Sequence, residues 1–219
     1  MIPLRDYNPT RRRSLLTWGL IVINVAVYLI LSQNPVMNQD AIQRYALIPA
    51  DISAGRHLDT LITSMFLHAS LLHVGGNMLF LWIFGNNVED QLGEIKYLAL
   101  YFASGIAGSL LQVYINPSSP IPNLGASGAI SGVLAAYVLY FPAARVLTYI
   151  APIFLVTIRA FVFIGYWILL QAFQAFLNIG VTGGGVAFFA HLGGFLMGFV
   201  LAFLLRPTSR ADPHPGYPV

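Results

Sequence analysis

Apolar and polar positions along this chain fall into long blocks rather than a short alternation. Leu15 to Leu31 is apolar almost without interruption, about the length that crosses a hydrocarbon core. Comparable runs cover Leu71 to Val88, Tyr97 to Ile115, Ser127 to Phe141, Ala160 to Leu177 and Val186 to Leu205. The pattern predicts an all-α membrane protein, a bundle of six transmembrane helices. Between the first two runs, 32–70 mixes Pro35, Pro49, Asp51, Gly55 and Asp59 with Leu58, Leu61, Ile62 and Phe66. That is the composition of a segment half sunk in the headgroup region. Asn116 to Asn123 holds three prolines and no charge, and reads as a loop. Pro142 to Ile158 is apolar yet carries Pro142, Arg145 and Pro152, so it is expected to lie along the surface. The expected organisation is a basic N-terminal segment over 1–14, a membrane domain over 15–205 and a flexible polar tail over 206–219. The first run follows a positive leader, as a signal peptide does. No small-residue cleavage site follows it and further spans do, so it is read as a retained helix.

Composition sharpens this picture. Of 219 residues, 57% are hydrophobic and only 9% charged, against about a quarter charged in a soluble domain. The mean hydropathy is +0.72. With no cysteine, disulfides, thiolate metal sites and a cysteine nucleophile are ruled out. A pI near 9.3 could suggest nucleic acid, but the basic residues form no stripe, and no nucleic-acid partner is expected. Topology accounts for them better. With six spans and the N-terminus inside, Arg5, Arg11, Arg12, Arg13, Lys96, Arg145, Arg159, Arg206 and Arg210 lie inside, and only Arg44 and Arg56 outside. That positive-inside bias places both termini on the cytoplasmic side.

The topology has a chemical consequence. The second, fourth and sixth spans run from outside to inside, with His73 and Asn77, Ser127, and His191 near their respective starts. At about 1.5 Å per residue these groups lie roughly 3 to 10 Å below the outer boundary. Gly128-x-x-x-Gly132 and Gly194-x-x-x-Gly198 each present a flat face on which a second backbone can pack closely. If those faces meet, Ser127 and His191 come within hydrogen-bond reach; Ser131 is one turn deeper. Neutral imidazole is the usual base that makes a serine hydroxyl nucleophilic near pH 7. No carboxylate lies in any span, so the pair is expected to be a Ser/His dyad with ring orientation left to packing. Backbone N–H groups at the start of the fourth helix, together with Asn77 and His73, could hold a developing oxyanion.

Each of these residues has a plainer reading. A membrane serine commonly bonds its own i−4 carbonyl, and a lone His or Asn in a span commonly glues helices. His68 and His73 lack a nearby carboxylate, so no metal is expected there, and no cofactor elsewhere. His57 and His214 are expected to be solvated, and Glu89, Asp90 and Glu94 to form a charge cluster at an inner turn. Together, four polar groups at one depth beside two close-packing faces point to chemistry.

At these residues the chain resembles the rhomboid intramembrane serine proteases, of the bacterial type with a six-helix core. Gly125-Ala126-Ser127-Gly128 resembles the family's Gly-x-Ser-Gly, and Ala190-His191-Leu192-Gly193-Gly194-x-x-x-Gly198 its histidine motif. His73-Val74-Gly75-Gly76-Asn77 resembles the second-helix His-x-x-x-Asn; His68 and Glu89-x-x-x-Gly93 also fit. The resemblance implies Ser127 as nucleophile and His191 as general base, then acid. It implies an oxyanion site of Asn77, His73 and the Ser127 N–H, with Gly125, Gly128, Gly132, Gly194 and Gly198 packing around it. The implied substrates are transmembrane proteins of the same bilayer, cut where a small residue and an unstable helix expose the peptide bond, since a helix hides its carbonyls in internal hydrogen bonds. The implied location is a bacterial inner membrane, with the site opening to the extracytoplasmic side.

Two departures stand out. Many members carry a Trp-Arg pair in the first outer loop, where this chain reads His57-Leu58-Asp59-Thr60. Some have an aromatic four residues after the nucleophile, stacked on the histidine; here Ser131 stands there. Two other classes of function predict different residues. An inactive relative that binds membrane clients would be expected to lose the serine or the histidine, and a transporter would be expected to show internal repeats or carboxylates in the spans. Within the fifth span, Phe161, Phe163, Trp167, Phe173 and Phe176 are candidates for a lateral gate.

Overall fold

The structure is a computed structural model that describes residues 1–179 and 186–206. The Gly183-Gly184-Gly185 connection, His214 and nearly all of the expected tail lie outside the described residues. The chain is mostly helical. Helix α1 (Leu15–Ser32) is followed by a run of short helices: α2 (Pro35–Tyr45), α3 (Pro49–Ser53), α4 (Thr60–Thr63) and a 3-10 turn over Ser64–Phe66. Then come α5 (Leu71–Phe80), a π turn over Leu81–Gly85, α6 (Asn86–Leu92), α7 (Glu94–Ile115), α8 (Ser127–Tyr140), α9 (Ala160–Leu177) and α10 (Phe188–Leu204).

Three of these, α1, α7 and α9, are long and apolar enough to cross a membrane, and Thr60–Phe66 with Leu71–Leu92 makes a fourth candidate bent by 97°. Helices α8 and α10 are apolar but shorter, 14 and 17 residues. At 1.5 Å per residue they reach only about 21 and 26 Å, less than the roughly 30 Å of a hydrocarbon core. These two helices carry Ser127 and His191. Large apolar side chains such as Val22, Leu169, Phe176, Leu196 and Leu204 point outward, as a lipid-facing surface requires.

The all-α expectation needs correction. Ile2–Asp6 (β1), Arg145–Ile150 (β2) and Phe154–Arg159 (β3) form an antiparallel sheet in the order β1-β2-β3. The segment expected to lie along the surface is therefore a hairpin, with Arg145 opposite Arg159 and Ile150 opposite Phe154. Its β-branched residues suit a pleated, half-covered surface: Val146 and Thr148 are buried on one face of β2. Asp6, at the end of β1, accepts a 2.8 Å hydrogen bond from the Tyr137 hydroxyl of α8. The sheet is thus fastened to the helices.

Helices α7, α8 and α10 make the tightest part of the bundle. A Cβ on Gly194 would overlap the Gly128 carbonyl oxygen, and one on Gly198 would overlap the Gly132 backbone. A Cβ on Gly108 of α7 would overlap the Ala190 carbonyl oxygen. Three backbones meet where side chains would keep them apart. Below this contact, Tyr97, Tyr101, Tyr137, Phe84 and Phe163 fill the core.

The turn expected to hold a charge cluster uses one of its carboxylates as a helix cap. Glu89 is buried, and its carboxylate accepts from the N–H groups of Leu16 (3.0 Å) and Thr17 (2.8 Å) and from the Thr17 hydroxyl (2.7 Å). It caps the start of α1 from a different helix.

Candidate active site

Ser127 is the first residue of α8, just after Gly125, whose φ of +120° suits only glycine. A Cβ on Gly125 would lie 2.7 Å from His73 Nε2 and 3.5 Å from Asn77 Nδ2, so the missing side chain leaves room for both. The Gly125 N–H donates to the Ser64 carbonyl (2.9 Å), and Leu47 and Asn123 exchange two backbone hydrogen bonds (2.9 and 2.7 Å). These tie the approach to α8 to the short-helix segment. That segment is held without the family's Trp-Arg pair: Arg44 bridges Asp59 (3.1 Å), and the Thr63 hydroxyl donates to the Tyr45 carbonyl (2.8 Å). His57, expected to be solvated, also lies 3.4 Å from the Arg44 guanidinium.

No side chain caps α8, so its first N–H groups retain their donor capacity. Helix α5, by contrast, is capped by the Ser70 hydroxyl, which accepts from the His73 N–H (3.1 Å). The cap fixes where α5 begins, hence where His73 and Asn77, one turn apart, emerge. Asn77 Nδ2 donates to His68 Nε2 (2.9 Å), and the His68 and His73 rings meet edge to face at 5.0 Å. One Asn77 amide hydrogen is engaged there and the second is left for another acceptor.

Helix α10 brings His191 against α8. The Ser127 hydroxyl lies 2.7 Å from His191 Nε2, and His191 is buried. Its other ring nitrogen, Nδ1, lies 2.7 Å from Gln171 Oε1 of α9. Trp167, one turn before Gln171, places its ring 5.7 Å from the imidazole, tilted by 35°. Ring orientation is thus not left to apolar packing. Gln171 carries little signal in the sequence, because it is one of two amides in this apolar helix, Gln174 being the other, and only tertiary structure shows which of them meets His191. Its one sequence signal is that it is a polar residue, with Gln174, in a run that is elsewhere lipid-compatible. Ser131, at the place of the family's aromatic, donates to the Ser127 carbonyl (2.6 Å) and stays out of the site.

The structure brings Ser127, His191, His73, Asn77 and Gly125 together at the head of α8, with Gly128, Gly132, Gly194 and Gly198 in the helix contact directly beneath. Among the described residues, no three His, Cys, Asp or Glu side chains gather as a metal would need. A cleft of about 380 Å³ lined by Arg12, Arg13, Asp90, Glu94 and Lys96 lies at the far end of the α5–α6 rod and contains none of these groups. The arrangement itself supports proton transfer from a serine hydroxyl to an oriented imidazole beside several N–H donors.

Comparison with known proteins agrees with the motifs. The family model of the Rhomboid domain matches residues 55–208. Rhomboid protein 1, mitochondrial, of Saccharomyces cerevisiae is 33% identical over 93% of this chain and 57% of its own length. RHOMBOID-like protein 1 of Arabidopsis thaliana is 33% identical over 81% of the chain and 43% of its own length. The presenilin-associated rhomboid-like protein, mitochondrial, of Bos taurus is 30% identical over 82% and 46%. The chain spans about half the length of these curated relatives. The expected bacterial inner membrane, with a site on its extracytoplasmic side, is overturned by this finding, since the yeast and bovine relatives are mitochondrial proteins. Composition and topology rules read the bilayer as a solvent and carry no signal for which organelle supplies it.

Proposed function

We propose that this chain, which belongs to the rhomboid family, is an intramembrane serine endopeptidase that cuts peptide bonds in or beside the transmembrane segments of other proteins. The observation that carries the reading is the 2.7 Å contact between the Ser127 hydroxyl and His191 Nε2. His191 Nε2 takes the hydroxyl proton as Ser127 Oγ attacks the scissile carbonyl carbon. The oxyanion receives the Ser127 N–H, the free Asn77 amide hydrogen and His73 Nε2–H. The imidazolium then gives its proton to the departing amine. Water then attacks the acyl carbon as the same imidazole takes its proton, and the imidazolium returns that proton to Ser127 Oγ as the carbon–Oγ bond breaks. No cofactor or metal enters these steps.

The proposed architecture is six spans with both ends of the chain on the side that carries nine of its basic residues, a membrane domain over 15–205 and short polar segments outside it. The shortness of α8 supports a recessed site. If its C-terminal end reaches one boundary of the core, Ser127 stands roughly 9 Å inside the other. Water must therefore enter from above, and a substrate helix must unwind to expose a carbonyl there. The mitochondrial relatives direct the proposal to a mitochondrial membrane. An inactive client-binding role would use the same helices, but it gives no reason for a serine and a buried imidazole to be hydrogen-bonded.

The test is labelling of the purified protein with a serine-reactive fluorophosphonate, alongside cleavage of a single-span substrate in liposomes. Wild type should label and cut, and Ser127→Ala and His191→Ala should do neither while keeping the wild-type melting profile. A folded wild type inert in both assays overturns the enzyme reading.

A further inference from the structure

A buried imidazole can act as base toward Ser127 only in one tautomer. Nε2 must carry the lone pair, so Nδ1 must carry the proton, and the group facing Nδ1 decides which form is stable. Here that group is Gln171 Oε1 at 2.7 Å, itself on a buried side chain. A carbonyl oxygen accepts and cannot donate, so it selects Nδ1–H. It also stays aligned with Nδ1–H when Nε2 takes a second proton, where its dipole favours the positive ring. Trp167 lies one turn from Gln171 on the same face of α9, and its ring limits rotation of the imidazole. The remaining ring neighbour, Phe188, meets His191 edge-on at 6.5 Å and offers no acceptor.

Resting on the reading of Ser127 and His191 as nucleophile and base, we infer that Gln171 is a positioning residue, a neutral acceptor that holds His191 with Nε2 free toward Ser127. It occupies the place that a carboxylate takes in a three-membered serine triad, without burying a charge among membrane helices. It also makes α9, a helix that turns Phe161, Phe173 and Phe176 outward and buries Phe163, part of the proton-transfer apparatus.

Two variants separate hydrogen bonding from packing. Gln171→Met keeps the length and volume of the side chain and removes the acceptor; Gln171→Glu keeps an acceptor. Both are measured as the full chain in phosphatidylcholine liposomes, with a single-span fluorogenic substrate and with fluorophosphonate labelling. The expected result for Gln171→Met is a kcat lower by roughly 10- to 100-fold, KM within about twofold of wild type, and labelling slowed in parallel. Gln171→Glu should recover most of both rates. Wild-type kcat and labelling in Gln171→Met overturn the inference, as do equal losses in both variants with a raised KM, which mark a packing role. A wild type that neither labels nor cuts overturns the protease reading and this inference together, so the two failures are distinguishable.

Discussion

Glu89 and Thr17 are joined twice, through the backbone N–H and the hydroxyl of Thr17, so the end of one membrane helix serves as the cap of another. The Thr17 hydroxyl is also 3.0 Å from the Tyr97 hydroxyl, which extends the network to α7. Removing the carboxylate takes the partner from the buried Thr17 N–H and the partly buried Leu16 N–H, and hydrogen bonds to charged groups contribute about 1.5–3 kcal/mol each. Glu89→Ala is therefore expected to lower the thermal midpoint in detergent clearly, by an equivalent of about 2–4 kcal/mol. Glu89→Gln, which retains one acceptor oxygen, should fall between. An Ala variant that melts with wild type would show that water caps α1 equally well.

A methyl group at position 194 has nowhere to go, because it would meet the Gly128 carbonyl. Gly194→Ala should push α10 away from α8, part Ser127 from His191 and cost about 1–3 kcal/mol of stability. Gly76→Ala is the control, since nothing lies within 4 Å of a Cβ there. Fluorophosphonate labelling should be lost or strongly reduced in the first and retained in the second. Equal labelling in both would mean that the helix contact does not set the site.

Asn77 stands beside Gly125 with one amide hydrogen free. Asn77→Ala should lower kcat by roughly 10²- to 10³-fold with KM little changed, the signature of a donor used in the transition state. Steady-state cleavage of a single-span substrate reads it directly. A change confined to KM would assign Asn77 to substrate binding instead.

Asp6 lies outside the membrane helices and carries a pH signature. Burial pushes its carboxyl up from 3.8 to about 6, against the opposing effect of the Tyr137 hydrogen bond. The folded chain therefore binds this proton more tightly than the unfolded one. The stability it contributes is complete below pH 3.8 and is lost as pH rises through about 6. Between those values wild type should lose on the order of 2 kcal/mol relative to Asp6→Asn, whose amide oxygen can still accept from Tyr137. Thermal melts of both proteins at pH 4, 5 and 6 check it; parallel curves would contradict it.

Most of the helices could be read from the chain because each long apolar run needs lipid or protein on every side. The approach of Ser127 to His191 was legible for a related reason, since glycine pairs four apart mark a contact between backbones. The sheet was not. Arg145 to Arg159 alternates too weakly to separate a hairpin from a surface helix, and Ile2–Asp6 gains meaning only from a partner far along the chain. Glu89 and Gln171 were underestimated in the same way. One polar residue reads as local until the structure supplies the N–H group or ring nitrogen it serves, and no periodicity encodes that partner.

The pairing of β1 with β2 also orders events in time. Ile2 finds Tyr149, and Asp6 finds Val146, only after all of α1 to α8 has been synthesised between them. Until then β1 has no strand to join, and Asp6 no Tyr137 to bond. The sheet is a late closure, made once α8 is in position, and it ties an early stretch of the polypeptide to the connection that leads into α9.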